Sequence, residues 1–192
     1  MIQIERTTKE TSIRLELELQ GSGQGEISTG VGFFDHMLHS FAVHGGFDLS
    51  VQVQGDLQVD CHHTIEDTGI VLGQAFAKAL GNKGGIRRFG SAYVPMDEAL
   101  CFAAVDVSGR PYLVLDCPAS APMIGEYDTQ MTTEFFRALA MNSGITLHAR
   151  CLYGDNDHHK VEALFKAVAR ALREAVTPTG DGRVLSAKGV LG

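Results

Sequence analysis

Residues 12–20, SIRLELELQ, alternate without a break. Ile13, Leu15, Leu17 and Leu19 face one way, and Arg14, Glu16, Glu18 and Gln20 the other. A period of two predicts a strand with one face on a core, of the kind found in antiparallel sheets. GSGQGE then reads as a turn. Over 31–44 the period lengthens, and Phe34, Met37, Leu38 and Phe41 fall on one helical face. Residues 47–54 alternate again and predict a strand. A long helix is predicted over 62–80, ended by Gly81-Asn82. Residues 99–107 and 111–116 predict two strands, with Ser108, Gly109 and Arg110 as a hairpin-type connection. Helix, strand and helix follow over 129–142, 145–153 and 158–176. Residues 177–192 are rich in glycine and poor in core residues.

The second half repeats the first. At a shift of 98, HMLHSFAVHGGFDLSV (36–51) lies on EFFRALAMNSGITLHA (134–149), with Gly46 on Gly144, Leu49 on Leu147 and Ala42 on Ala140. At a shift of 96, HHTIED (62–67) lies on HHKVEA (158–163). Helix, strand and His-His helix recurring in the same order point to a duplicated α+β fold. The expected organisation is a single domain of two similar halves, about 1–90 and 91–192. Each half is a sheet with two helices, and the chemistry lies near a pseudo-two-fold axis.

Composition narrows the function. A formal net charge of −7 disfavours nucleic-acid binding, which needs a basic face. No apolar run approaches the roughly 20 residues that span a bilayer, so no membrane partner is expected. The first twenty residues alternate and carry charge, unlike a signal peptide, so a cytoplasmic location is expected. The four cysteines (Cys61, Cys101, Cys117 and Cys151) show no C-x-x-C spacing and read as small core residues.

Histidine placement is the unusual feature. Seven of the eight histidines fall in three stretches: His36, His39 and His44; His62 and His63; His158 and His159. In HHxxE on a helix, Glu66 sits three and four residues after the two histidines and shares their face. The two imidazoles diverge by about 100°, so one segment can serve two ions. The second copy supplies His158, His159 and Glu162. Imidazole and carboxylate donors suit manganese, iron or zinc. His36 lies on Glu134 at the shift of 98, so if one is a ligand the other is expected to be. The candidate metal ligands are therefore His36, His62, His63, Glu66, Glu134, His158, His159 and Glu162. Eight protein ligands around two ions leave open positions for a substrate. Arg88, Arg110 and Lys188 each stand near glycine in a loop, where backbone and cation can approach an anion together. Two other readings share these features. One is a dinuclear metal hydrolase, and the other is a metal-storage or metal-assembled structural particle.

Taken together, RTTKET (6–11), GFFDHMLHSFAVHGGFDL (32–49), DCHHTIEDTGI (60–70), RFGSAYVPMDEAL (88–100), DVSGRPY (106–112), NSGITLH (142–148), NDHHKVEALFKAVARALREA (156–175) and SAKGVLG (186–192) resemble the imidazoleglycerol-phosphate dehydratases of histidine biosynthesis. The resemblance implies two fused α+β halves with helices between sheets, and two Mn2+ per subunit. It implies trimers assembled into a 24-subunit particle with active sites between subunits. The implied reaction is a lyase's dehydration of D-erythro-imidazole-glycerol phosphate to imidazole-acetol phosphate. The route expected is a dimetal-bound imidazolate and a diazafulvene-like intermediate.

The family's metal ligands match His36, His62, His63, Glu66, His158, His159 and Glu162. Position 134 is histidine in many relatives. Substrate contacts match Glu10, His44, Arg88, Asp97, Arg110, Lys166, Ser186 and Lys188, and the ligands His36, His62, Glu66 and His159 also face the substrate. Glu10 is the expected base and Glu162 the alternative, while Asp97 orients substrate or carries a proton. This chain departs from relatives at His39-Ser40, where Asp-Gln is common, and at Ala187, where a serine is common. A phosphatase domain fused in some bacterial relatives is not expected here.

Overall fold

In the computed structural model, residues 1–189 and Leu191 are described. Residues 190 and 192, at the end of the 186–192 motif, lie outside the described residues. The strands are β1 (Ile2–Thr7), β2 (Thr11–Glu18), β3 (Ile27–Ser28), β4 (Asp48–Gly55), β5 (Phe89–Met96), β6 (Ala99–Asp106), β7 (Tyr112–Asp116), β8 (Met123–Ile124), β9 (Tyr127–Asp128) and β10 (Thr146–Tyr153). The helices are α1 (Gly32–Gly45), α2 (His62–Leu80), α3 (Met131–Ser143) and α4 (Asp157–Ala175).

Two four-stranded sheets have the orders β1-β2-β4-β3 and β5-β6-β10-β7. Position by position they are the same sheet. A hairpin leads, a third strand adds antiparallel to it, and a short fourth strand lies parallel to the third. The duplication read from the sequence is thus a duplication of topology. Both first helices end on a left-handed glycine at matching positions, Gly46 with φ 61° and Gly144 with φ 70°. The second half carries an added hairpin, β8–β9, before its first helix.

Each sheet turns its apolar face inward. Ile13, Leu15, Leu17, Leu49 and Val51 do so in one, and Cys101, Ala103, Val105, Leu147 and Ala149 in the other. The four helices fill the space between, with α1 against α4 and α2 against α3. Both of these helix pairs join one half to the other. Among the described residues no helix is long and apolar enough to cross a membrane.

The hairpin expected between 99–107 and 111–116 does not form. β10 lies between β6 and β7, antiparallel to the first and parallel to the second. The Thr146 hydroxyl donates to the Arg110 carbonyl at 3.0 Å, and the Tyr112 amide donates to the Ile145 carbonyl at 3.0 Å. These bonds carry the chain across the edge of β10 instead of back onto β6. The edge strands β1 and β5 had no separate prediction. Gly90 and Pro95 weaken the strand signal in β5, and an edge position tolerates both.

The two halves fill the middle layer differently. At the shift of 96, Gly69 and Gly73 of α2 correspond to Phe165 and Ala169 of α4. Phe165 stacks on Phe135 at 5.2 Å between ring centres. The glycines instead let α3 approach closely. A Cβ on Gly73 would lie 2.7 Å from Asn142 Cβ and 2.8 Å from the Leu139 carbonyl oxygen. Gly73→Val is therefore expected to cost about 3 kcal/mol through overpacking. That corresponds to a fall of roughly 6–12 °C in the thermal midpoint for a chain of this size. An unchanged midpoint at equal protein concentration would show that α3 moves aside freely.

Candidate metal centre and anion pocket

The contact of α1 with α4 brings His36 to His158 and Glu162. Glu162 Oε2 is 3.2 Å from His36 Nε2 and 3.0 Å from His158 Nε2. The three donor atoms all lie within 4.8 Å of one another. Glu162 is only 6% exposed, and its other oxygen pairs with Lys166 Nζ at 2.7 Å. Burial alone would raise the Glu162 carboxyl, but the Lys166 and His36 hydrogen bonds outweigh it and lower its pKa. The residue is thus held as an anion.

This donor set fits a divalent ion. Two imidazole nitrogens and a carboxylate oxygen are the mixed donors that manganese, iron and zinc accept. With metal–ligand bonds of about 2.0–2.2 Å, donors at right angles stand about 3 Å apart, close to the separations of Glu162 from His36 and from His158.

The remaining candidates form smaller groups. His62 Nε2 is 3.3 Å from Glu66 Oε2 across one helical turn. His63 Nε2 faces Glu10 Oε1 at 3.7 Å, while its Nδ1 lies 3.0 Å from Asp56 Oδ2. His159 Nε2 faces Asp97 Oδ2 at 3.6 Å, while its Nδ1 lies 2.8 Å from Glu98 Oε2. Glu134 sits in the first turn of α3, ion-paired with Arg137. Its helix packs on α2, which carries His62 and Glu66, as α1 packs on α4. Among the described residues, no other three of these ligands approach as His36, His158 and Glu162 do.

Sequence reasoning passed over Asp56 and Glu98. The hydrogen bond to Asp56 raises the pKa of His63, and that to Glu98 raises the pKa of His159. The Glu98 carboxyl falls to about 2, first because it accepts the Asn156 amide and then because of His159. Asp56 lies outside α2 and Glu98 lies 61 residues from His159, so no helical periodicity marked them.

Arg88 lines a pocket of about 740 Å³, together with Arg87, Asp181, Arg183 and Ser186. Its Nε and Nη2 clasp Asp106 at 2.7 and 3.1 Å, and Nη1 donates to the Leu185 carbonyl. Arg110 Nη2 stands 3.7 Å from the same carboxylate. Arg88 thereby ties Leu185 to the end of β6. The Ser186 hydroxyl accepts from the Lys188 amide at 3.2 Å. Arg88 is left-handed, with φ 71°, an uncommon conformation for a bulky side chain. His44, on α1, lies close enough to Lys166, Arg170 and Glu162 of α4 to feel their charges. Burial, then the cations of Lys166 and Arg170, lower its pKa. His39 is exposed, and the buried Ser40 hydroxyl has no hydrogen-bond partner among the described residues. The four cysteines are free thiols, and Cys101 donates to the Lys160 carbonyl.

Known proteins share this sequence and this fold. The Imidazoleglycerol-phosphate dehydratase family profile matches residues 29–172. The Imidazoleglycerol-phosphate dehydratase of Phenylobacterium zucineum is 56% identical over 191 residues, covering 98% of this chain and 97% of that one. A protein of the same name from Clostridium botulinum is 55% identical over 190 residues, with the same coverage. The Staphylococcus aureus dehydratase structure superposes with a TM-score of 0.82 at 41% identity, covering 92% of this chain and 98% of its own. The Pyrococcus furiosus structure, solved in complex with (S)-C348, gives 0.84 at 39% identity, covering 98% and 100%. On profile, full-length identity and fold alike, the chain belongs to the imidazoleglycerol-phosphate dehydratase family of hydro-lyases.

Proposed function

We propose that this chain dehydrates D-erythro-imidazole-glycerol phosphate to imidazole-acetol phosphate in histidine biosynthesis, using two Mn2+ per subunit and the ionised imidazole ring of the substrate. The observation that carries the reading is the convergence of His36, His158 and Glu162 on one point in a chain of this family. The carbon–hydrogen bond to be broken has no carbonyl beside it, so the ring must take up the charge. Divalent ions supply that chemistry by lowering the pKa of nitrogen ligands.

The protein's own residues do the rest. His36, His62, His63, Glu66, Glu134, His158, His159 and Glu162 hold the ions. Arg88, Arg110, Ser186 and Lys188 hold the phosphate, with His44 and Lys166 beside it. Glu10 removes the proton from the side-chain carbon, and Asp97 orients the substrate or carries a proton. We also place the enzyme in the cytoplasm. Copies of the chain would assemble as trimers within a 24-subunit particle and complete one another's sites. The scattering of the other ligands within a single chain supports completion by neighbours.

Protein stripped of metal and supplied with imidazole-glycerol phosphate is expected to be inactive. Added Mn2+ should restore formation of a ketone that retains its phosphate. Release of inorganic phosphate would instead establish the dinuclear hydrolase. No product with manganese, iron or zinc would leave a storage or structural particle.

A further inference from the structure

We propose that Asp56 and Glu98 are positioning residues that hold His63 and His159 in the form that offers a bare Nε2 to a divalent ion; this rests on the metal reading above. A carboxylate only accepts hydrogen bonds. His63 Nδ1 lies 3.2 and 3.0 Å from the two oxygens of Asp56, and His159 Nδ1 lies 2.8 Å from Glu98. Each Nδ1 therefore carries the proton. In a neutral ring, Nε2 is left with a free lone pair. Both Nε2 atoms stand beyond hydrogen-bond range of the nearest carboxylates, Glu10 at 3.7 Å and Asp97 at 3.6 Å. Among the described residues, none donates a hydrogen bond to those lone pairs. A carboxylate behind a ligating imidazole is the usual means of fixing its ring form and strengthening it as a donor.

The two halves reach this contact by different routes, which argues that the contact matters and not the residue. Asp56 directly follows β4, and its duplicate, directly following β10, is Gly154. Glu98 directly precedes β6, and its duplicate, directly preceding β2, is Glu10. Glu10 faces Nε2, on the opposite side of the ring from the contact Glu98 makes. Each half has therefore placed an acid behind its second histidine from a position where the other half has none doing so. Glu98 is held in turn by the Asp155 and Asn156 amides at 3.1 and 2.8 Å, which fix it to the start of α4.

The test compares wild type with Asp56→Ala, Asp56→Asn and Glu98→Gln in the assembled protein. Glu98→Gln replaces alanine there because an amide oxygen keeps the α4 contacts. Manganese binding is read by calorimetry on stripped protein, and ring form by solid-state 15N NMR of histidine-labelled metal-free protein. In Asp56→Ala, His63 should shift from the Nδ1–H towards the Nε2–H form, and at least one manganese site should weaken about 10–100-fold. Asp56→Asn, whose amide oxygen still accepts, should recover most of both. Glu98→Gln should weaken manganese less than Asp56→Ala does. An Asp56→Ala isotherm and ring form that match wild type overturn the proposal. A wild-type protein that binds no manganese overturns the metal reading itself, while the ring form in Asp56→Ala still decides whether the carboxylate holds the imidazole.

Discussion

Glu162→Gln is expected to leave the protein folded and assembled while its manganese content falls after dialysis and its turnover drops about a thousandfold. Glu162 is the most heavily shared group of the centre. One oxygen serves both His36 and His158, and the other serves Lys166. Glutamine keeps the volume and one accepting oxygen, so the contact between α1 and α4 should survive. What it loses is the negative charge, which makes a carboxylate a stronger donor to a divalent ion than an amide. A loss of about 4 kcal/mol of ionic stabilisation is about a thousandfold in rate. Metal analysis and steady-state kinetics on the same preparation separate the two effects. Full manganese content with turnover within tenfold of wild type would remove Glu162 from the ligand set. Full manganese with lost turnover would instead make it the base.

How much of this was legible beforehand depended on the range of the interaction. The helix over 62–80 was read to its ends because its signals are local: an apolar stripe and a terminal glycine. The duplication was legible because two chemically odd pairs, His62-His63 and His158-His159, recur in order. The partner of β7 was not legible, because β10 begins some thirty residues later and nothing in 108–110 announces it. In the site, the candidate residues and their helices were visible in spacing. Their grouping was not. That His36 joins His158 and Glu162, from the other half, follows from α1 packing on α4. The acids behind His63 and His159 were also invisible, since the duplication that exposed the histidines gives Asp56 a glycine for a counterpart. The pairing of Arg88 with Asp106 likewise joins positions with no local pattern between them.

Glu10→Gln should retain the two manganese ions proposed above and bind substrate, yet turn over about 10²–10⁴-fold more slowly, the usual contribution of a general base. Position is the argument for Glu10. It lies in the turn between β1 and β2, where its amide donates to the Thr8 hydroxyl at 3.1 Å. Thr11, at the end of that turn, donates to Asp67 on α2, and Arg6 pairs with the same carboxylate at 3.1 Å. The turn is thus pinned to the helix that carries His63, and Glu10 projects towards that histidine while remaining exposed to an incoming substrate. Asp97 occupies the matching turn and faces His159 in the same way, so it is the structural rival for the role. Asp97→Asn on the same assay decides between them. A base contributes the acidic limb of the kcat/KM profile, since its protonated form is inactive. If Glu10 is the base, that limb disappears in Glu10→Gln and persists in Asp97→Asn, whose defect should fall mainly on KM. The reverse pattern, with Glu10→Gln near wild type, would move proton removal to the His159 side and leave Glu10 to orient the substrate.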